Sequence, residues 1–328
     1  MSKKGSKLSW AAGKKTVLCT GTAAMDYMSV VRQFPAQEEA LQVDLHAQCS
    51  RGYWQRCGNA SNNCTVLRQL GVKCEFLGML SSLKMFRILA DDMRARGIII
   101  DNCPTCDQEP PFSSVILAKS TKTRNIISCS RAFPYVSIED FRKLALSTYG
   151  WMHMRSICFE TTLAMMQHVA AFNVGRSDKI VVSMEFSKQL EEMWPLVDYC
   201  DYVICSRKLA REQGWPTPEI ACTRIDEKLR TRWGLNLKRP IVVFQWAELG
   251  AAILEESGKF SLAPAYKPRK MVDTLGAGDT FTAAFIYAVY IRERSVPVAV
   301  DFANRMASHK CTKRGFEHIA DILIAPVI

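Results

Sequence analysis

The sequence predicts an α/β fold: a mostly parallel sheet, covered by helices on both faces and carrying a small β-rich appendage. Three observations predict it. Short apolar runs recur along the whole chain, segments of 3.6-residue periodicity alternate with them, and a few stretches break that rhythm with strand-like alternation. The 328 residues are 48% apolar and 23% charged, enough apolar side chain to close a sizeable core without disulfide or metal staples. No apolar run nears the ~18 residues a membrane span needs. The longest, 281–291, suits a buried core helix. Membrane, disordered and coiled-coil classes are excluded on these grounds.

Residues 16–20, 74–77, 151–154, 180–183, 202–205 and 241–244 read as buried strands, dense in Val, Ile, Leu and Cys. Residues 60–70, 84–96, 161–172 and 189–197 carry the helical period between them, and 296–310 reads as a closing helix. The appendage is expected from the alternating stretch 42–55 together with 113–118 and 124–128, a strand pair joined through 119–123. The layout is therefore a basic tail over 1–15 and one domain over 16–328, with the appendage strands at about 40–57 and 112–130.

The net charge is +11, from 43 basic and 32 acidic residues. Five lysines of the 1–15 tail supply nearly half of the excess, and a second basic stretch, 207–239, reads as solvated helix faces. Basic surfaces attract phosphates, but no zinc-finger spacing, RNA-recognition aromatic motif or basic heptad array accompanies the charge, so no nucleic-acid partner is expected. Thirteen scattered cysteines, with a polar lysine-rich start to the chain, read as reduced thiols of a cytoplasmic protein. Cys103 and Cys106 have the spacing of half a zinc site, but no second pair completes it, and no metal-ligating side chain is assigned. Neither a P-loop nor a Gly-x-Gly-x-x-Gly fingerprint is present.

The chemistry concentrates in Asp273-Thr274-Leu275-Gly276-Ala277-Gly278-Asp279-Thr280, followed at once by an apolar helical run. Two glycines around one small residue let backbone approach a ligand, and the following helix offers unpaired N–H groups to an anion. Asp279 falls in the first helical turn, where it can accept a proton from an attacking hydroxyl. Taken alone, a bare Gly-Ala-Gly-Asp would more simply be a helix start. Near the other end of the chain, Asn59 and Asn62 follow Gly58 and sit three residues apart on one helical face, with amides suited to sugar hydroxyls.

The octapeptide and Gly58-Asn59-Ala60-Ser61-Asn62-Asn63 together resemble the signatures of the ribokinase-like sugar kinases, the phosphofructokinase-B family. The likeness runs from about residue 15 to 319. Trp54-Gln55-Arg56 and Trp246-Ala247-Glu248 are similar to its ketohexose-phosphorylating branch. The resemblance implies a ribokinase-like three-layer α/β/α domain with a β-sheet lid, and transfer of the ATP γ-phosphoryl group to the 1-hydroxyl of a ketohexose such as fructose. It implies Asp279 as base and Gly276, Ala277 and Gly278 as the anion hole. It places Asp26, Glu38, Gly58, Asn59, Asn62 and Arg124 around the sugar, and Arg207, Glu248, Gly250, Ala307 and Cys311 around the nucleotide. ATP with Mg2+ is the implied cofactor, potassium a candidate activator, and a homodimer clasped through the lids the implied assembly. Four positions depart from the pattern. Cys57 replaces a glycine where a Cβ restricts a hinge, Glu38 or Glu39 stands where the branch has Asp, Leu83-Lys84 replaces Gly-His, and Arg155 replaces an acid.

Overall fold

A computed structural model describes residues 13–34, 49–121, 123–130, 133–186, 190–233 and 239–324. In chain order the strands are β1 (Thr16–Thr20), β2 (Ala24–Val31), β3 (Arg51–Cys57), β4 (Cys74–Leu77), β5 (Leu80–Ser81), β6 (Thr105–Cys106) and β7 (Phe112–Ala118). They continue with β8 (Thr123–Cys129), β9 (Tyr149–Arg155), β10 (Val181–Phe186), β11 (Tyr202–Ser206), β12 (Ile241–Gln245), β13 (Ala251–Leu254) and β14 (Phe260–Ala263). The helices are α1 (Asn59–Gln69), α2 (Arg87–Ala95), α3 (Ile138–Arg142), α4 (Phe159–Asn173), α5 (Leu190–Val197), α6 (Arg207–Glu212) and α7 (Pro218–Trp233). After them come α8 (Ala277–Ile286), α9 (Val296–Lys310) and α10 (Asp321–Ile324).

The main sheet has the order β4-β1-β9-β10-β11-β12-β13-β14, parallel as far as β12 and antiparallel beyond it. Burial on both faces explains why β1 is buried at all five positions and why these strands read as mostly apolar runs. One face packs Phe141, Met166, Leu196, Leu209 and Ile225 from α3 to α7. The other packs Leu67, Met93, Phe285 and Val300 from α1, α2, α8 and α9. Trp151 on β9 stacks on Tyr202 of β11 at 5.2 Å between ring centroids. The result is three layers, α/β/α. No helix among the described residues is long and apolar enough to cross a membrane.

The second sheet has the order β3-β2-β7-β8 and forms the lid. Its register sets Asp26 opposite Gln55 and Ser113, and Ser113 opposite Ser128, so these four share the face turned to the main domain. Three features differ from the sequence expectation. The lid strand expected over 42–55 is β3 at Arg51–Cys57, and 35–48 lie outside the described residues. β2 joins the lid unannounced, because it is buried at six of eight positions and so lacks a clean alternation of apolar and polar residues. The 84–96 helix opens with a 3-10 turn, Lys84–Phe86, before α2 begins. The 1–12 part of the basic tail lies outside the described residues. The run 281–291 is a buried helix, as its apolarity predicts, and its last turn widens to π geometry at Tyr287–Ile291.

Candidate active site

The parallel strands end on one side of the sheet, where α/β folds open a crevice for ligands. There a cleft of about 1020 Å3 lies between lid and main domain, lined among others by Asp26, Cys57, Gly58, Asn59, Asn62, Arg155, Gly276 and Asp279. Two motifs more than two hundred residues apart meet in it.

Gly276 starts α8 from the left-handed region, φ 74°, and a Cβ there would lie 2.5 Å from the Phe316 ring, so only glycine fits. No side chain caps this helix. Ala277 N–H turns back to the Thr274 carbonyl at 3.3 Å, and the next two N–H groups, of Gly278 and Asp279, make no backbone hydrogen bond among the described residues. Asp279 is the third residue of α8 and sits at the cleft floor, partly open to it but enclosed by protein on its other sides. Burial, reinforced by the Glu185 carboxylate, pushes its carboxyl up to about 7, against the opposing pull of Asn62, Arg155 and Lys310. Asn62 donates Nδ2–H to Asp279 Oδ2 at 2.7 Å, and its buried Oδ1 has no partner.

Gly58 enters α1 with φ 106°, and a Cβ there would press to 2.2 Å from the Thr22 carbonyl. The freedom that Cys57 lacks therefore resides one residue later. The Cys57 thiol instead donates to the Asp26 carboxylate, and burial first, then Asp26, raises its pKa far above the usual thiol range. Asp26 is itself buried and pushed up by desolvation, partly offset by hydrogen bonds from Cys57, Gln55 and Ser113. Asn59 donates Nδ2–H to both oxygens of Glu185, at 3.1 and 2.9 Å, which leaves its amide oxygen as the free acceptor.

Arg124 reaches across from lid strand β8 and donates to Thr274 Oγ1, joining lid to glycine turn. Beneath that turn, the fully buried Lys310 ammonium pairs with Asp273 Oδ2 at 2.6 Å and donates to the Asp273 carbonyl at 3.1 Å. Asp273 also accepts from Leu275 N–H at 3.0 Å and Gly315 N–H at 3.4 Å, and the Cys311 carbonyl accepts from Val272 and Asp273 N–H.

The residues that the resemblance assigns to the nucleotide lie apart from the cleft. Arg207 pairs with Glu248 where β11 and β12 end, and Gln245 bridges to Thr282 at 3.0 Å on α8. A basic cavity of about 490 Å3 is lined by Ser308, His309, Thr312, Tyr266, Lys267 and Lys270; Ala307 and Cys311 adjoin these residues in sequence, but neither lines it. Gly250 packs against backbone instead: its Cβ would meet the Ala263 carbonyl at 2.1 Å, so the fold alone demands glycine there. Glu38 lies outside the described residues. Sequence reasoning missed Glu185 and Lys310. A charge at the end of an apolar strand or helix was their one signal. His153, by contrast, is a core histidine, held neutral by burial with its pKa down to about 3.

The pfkB family carbohydrate kinase model matches residues 14–322. Mouse ketohexokinase is 33% identical over 309 residues, covering 93% of this chain and 99% of its own. The solved ribokinase of Giardia lamblia superposes with a TM-score of 0.77 at 15% identity, over 95% of this chain and 99% of that one. Arabidopsis thaliana ribokinase, solved with ribose and ATP, gives 0.72 at 19% identity over 93% and 95%.

Proposed function

Because the chain belongs to the pfkB family of carbohydrate kinases, we propose that it transfers the γ-phosphoryl group of ATP to the 1-hydroxyl of a ketohexose, fructose first. One observation carries the reading: a carboxyl raised to about 7 sits at the uncapped start of α8, in a cleft that also holds Asp26, Asn59 and Asn62. Asp26 and the Asn59 amide oxygen accept from sugar hydroxyls. Asp279 takes the proton of the attacking hydroxyl, and Gly278 and Asp279 amides meet the charge on the phosphoryl oxygens. Arg124 adds positive charge from the lid. In-line positioning and electrostatics suffice for a loose phosphoryl transition state.

Mg2+ supplies charge to the nucleotide phosphates when bound. The Glu185 carboxylate beside Asp279 would offer this ion hard oxygen acceptors through its retained waters, leaving Asp279 free as the base. ATP would run from the glycine turn past Arg207 and Glu248 to the cavity beside Ala307 and Cys311. A coupled ADP-release assay over ketoses, aldoses and nucleosides, in potassium and in a potassium-free buffer, tests the whole reading. Fructose is expected to give the highest kcat/KM. Another acceptor outranking it tenfold would overturn the acceptor, and turnover of none would overturn the activity.

The lid's outer row, Trp54–Tyr27–Ser114–Ile127, exposes Tyr27 by 44%, Trp54 by 41% and Ile127 by 64%, a cross-strand apolar surface suited to a second copy. Light scattering is expected to give a dimer mass that Ile127→Asp halves; a monomeric wild type at tens of micromolar (roughly the working range for weak interfaces) would sink the assembly. Thirteen unpaired thiols support a reducing compartment, the cytoplasm, as its location, and an organellar signal from a tagged chain would overturn that.

A further inference from the structure

A second cavity, about 320 Å3, opens along the edge of lid strand β3, where it approaches α2 and the 314–317 turn. Its charge is unbalanced: Arg51, Arg56, Arg96 and Arg314 line it against two carboxylates, Asp92 and Glu317. Those two are already committed. Asp92 accepts from Arg56 Nε at 2.7 Å and Arg96 Nε at 3.0 Å, and Glu317 pairs with Arg96 Nη1 at 2.9 Å. Arg51 and Arg314 are left without a carboxylate within 4 Å among the described residues. Both instead bring their guanidinium carbons to one ring, Tyr53, at 5.3 and 5.7 Å from its centroid. Buried Arg56 also keeps one donor, Nη1, with no partner, although its Nε and Nη2 are engaged by Asp92 and Thr65.

Arg51 and Arg314 are exposed, so water screens their mutual repulsion, but two guanidiniums converging on one ring beside a buried Arg with an orphaned donor leave an excess of positive charge and donors that an anion would satisfy. We infer that this cavity binds the phosphate group of a small phosphorylated metabolite, at a site separate from the catalytic cleft. A phosphomonoester carries about −1.5 to −2 charges at pH 7 and three acceptor oxygens, which matches the excess of two arginines; a single carboxylate would leave one unpaired. Planar guanidinium forks suit such an oxyanion better than ammonium groups would.

The placement makes the ligand an effector of the lid. Arg51 begins β3, the strand that ends at Cys57 and Gly58, whereas Arg314 belongs to the main domain. Gly315 follows Arg314 and donates to Asp273, and Phe316 closes over Gly276. A phosphate bridging Arg51 to Arg314 draws the lid strand toward the catalytic turn.

The test is calorimetric titration of the whole chain with inorganic phosphate, at ionic strength matched with chloride and without sugar or nucleotide. Saturable binding is expected in the wild type. It should weaken at least tenfold in Arg51→Gln/Arg314→Gln and stay within twofold in Arg124→Gln, which disarms the cleft instead. Equal binding in the double variant, loss in Arg124→Gln in its place, or no saturable binding in the wild type would each overturn the site. Hydrogen exchange on the wild type decides the matter even if the double variant misfolds: phosphate should protect the amides of 51–57, and unchanged exchange there would also overturn it. Neither readout uses turnover, so a failed kinase assay leaves this result standing on its own.

Discussion

Asp279→Asn is expected to lower kcat by about 10³, in the middle of the range for removing a positioned general base. Asn keeps the shape, and its amide oxygen can still accept from Asn62, so the loss reports proton transfer rather than collapse of the cleft. The pH profile supplies the sign. A base must be ionised, and burial with the Glu185 charge holds this carboxyl at about 7. Wild-type kcat/KM should therefore fall about tenfold per pH unit below 7 and level off above it, whereas the residual activity of Asp279→Asn should lose that acid limb. Stability should move the other way. The folded pKa lies above the unfolded value of 3.8, so folding favours the protonated form, and native stability is lost as pH rises from about 4 to 7. The variant has no charge to bury. Its melting temperature should exceed that of the wild type at pH 8, with the gap shrinking toward pH 4. Equal kcat in both proteins, or an acid limb that survives in the variant, would remove Asp279 from the role.

The same residues show what a sequence can and cannot reveal. Strands β1, β4, β9, β10, β11 and β12 were legible because burial on both faces writes a mostly apolar run, even where Glu75, His153 or Ser183 interrupts it. The octapeptide and the Asn59–Asn62 pair were legible because each is local: glycine geometry and a three-residue helical spacing act over one turn. Glu185 was not. It meets Asn59 across 126 positions, and only the strand order that sets β10 next to β9 brings it behind the cleft. Cys57 could be seen as a substitution, but not as a donor to Asp26, because that contact needs β2 paired with β3 in one register. Arg51 and Arg314 belong to no motif in the sequence. Their convergence on Tyr53 comes from the lid lying over the 314–317 turn, which no periodicity encodes.

Lys310→Met is expected to cost about 3–5 kcal/mol, the range for breaking a buried ion pair by removing one partner. Lys310 is inaccessible and the Asp273 side chain is 15% exposed, and the ammonium meets both the carboxylate and the carbonyl of Asp273. Burial lowers the lysine pKa and the Asp273 charge pulls it back, so the pair holds its charge only as a pair. Methionine fills much of the lysine stem's volume, so packing changes little and the stranded carboxylate carries the penalty. At about 2 °C per kcal/mol for a large domain, the melting temperature should fall by roughly 6–10 °C. Turnover should fall too, because Asp273 fixes Leu275 N–H and Gly315 N–H on either side of the glycine turn that carries the anion-facing amides. The double variant Lys310→Met/Asp273→Asn separates the two effects. Removing both charges should restore most of the melting temperature, since a neutral pair has no uncompensated ion to bury. It should restore little of kcat, because Asn has one amide oxygen where Asp273 uses two, so only one of the Leu275 and Gly315 hydrogen bonds keeps its acceptor. If Lys310→Met melts within 1 °C of the wild type (a shift worth well under 1 kcal/mol), the pair does not hold the turn, and the turn's geometry must rest on Cys311 and Phe316 instead.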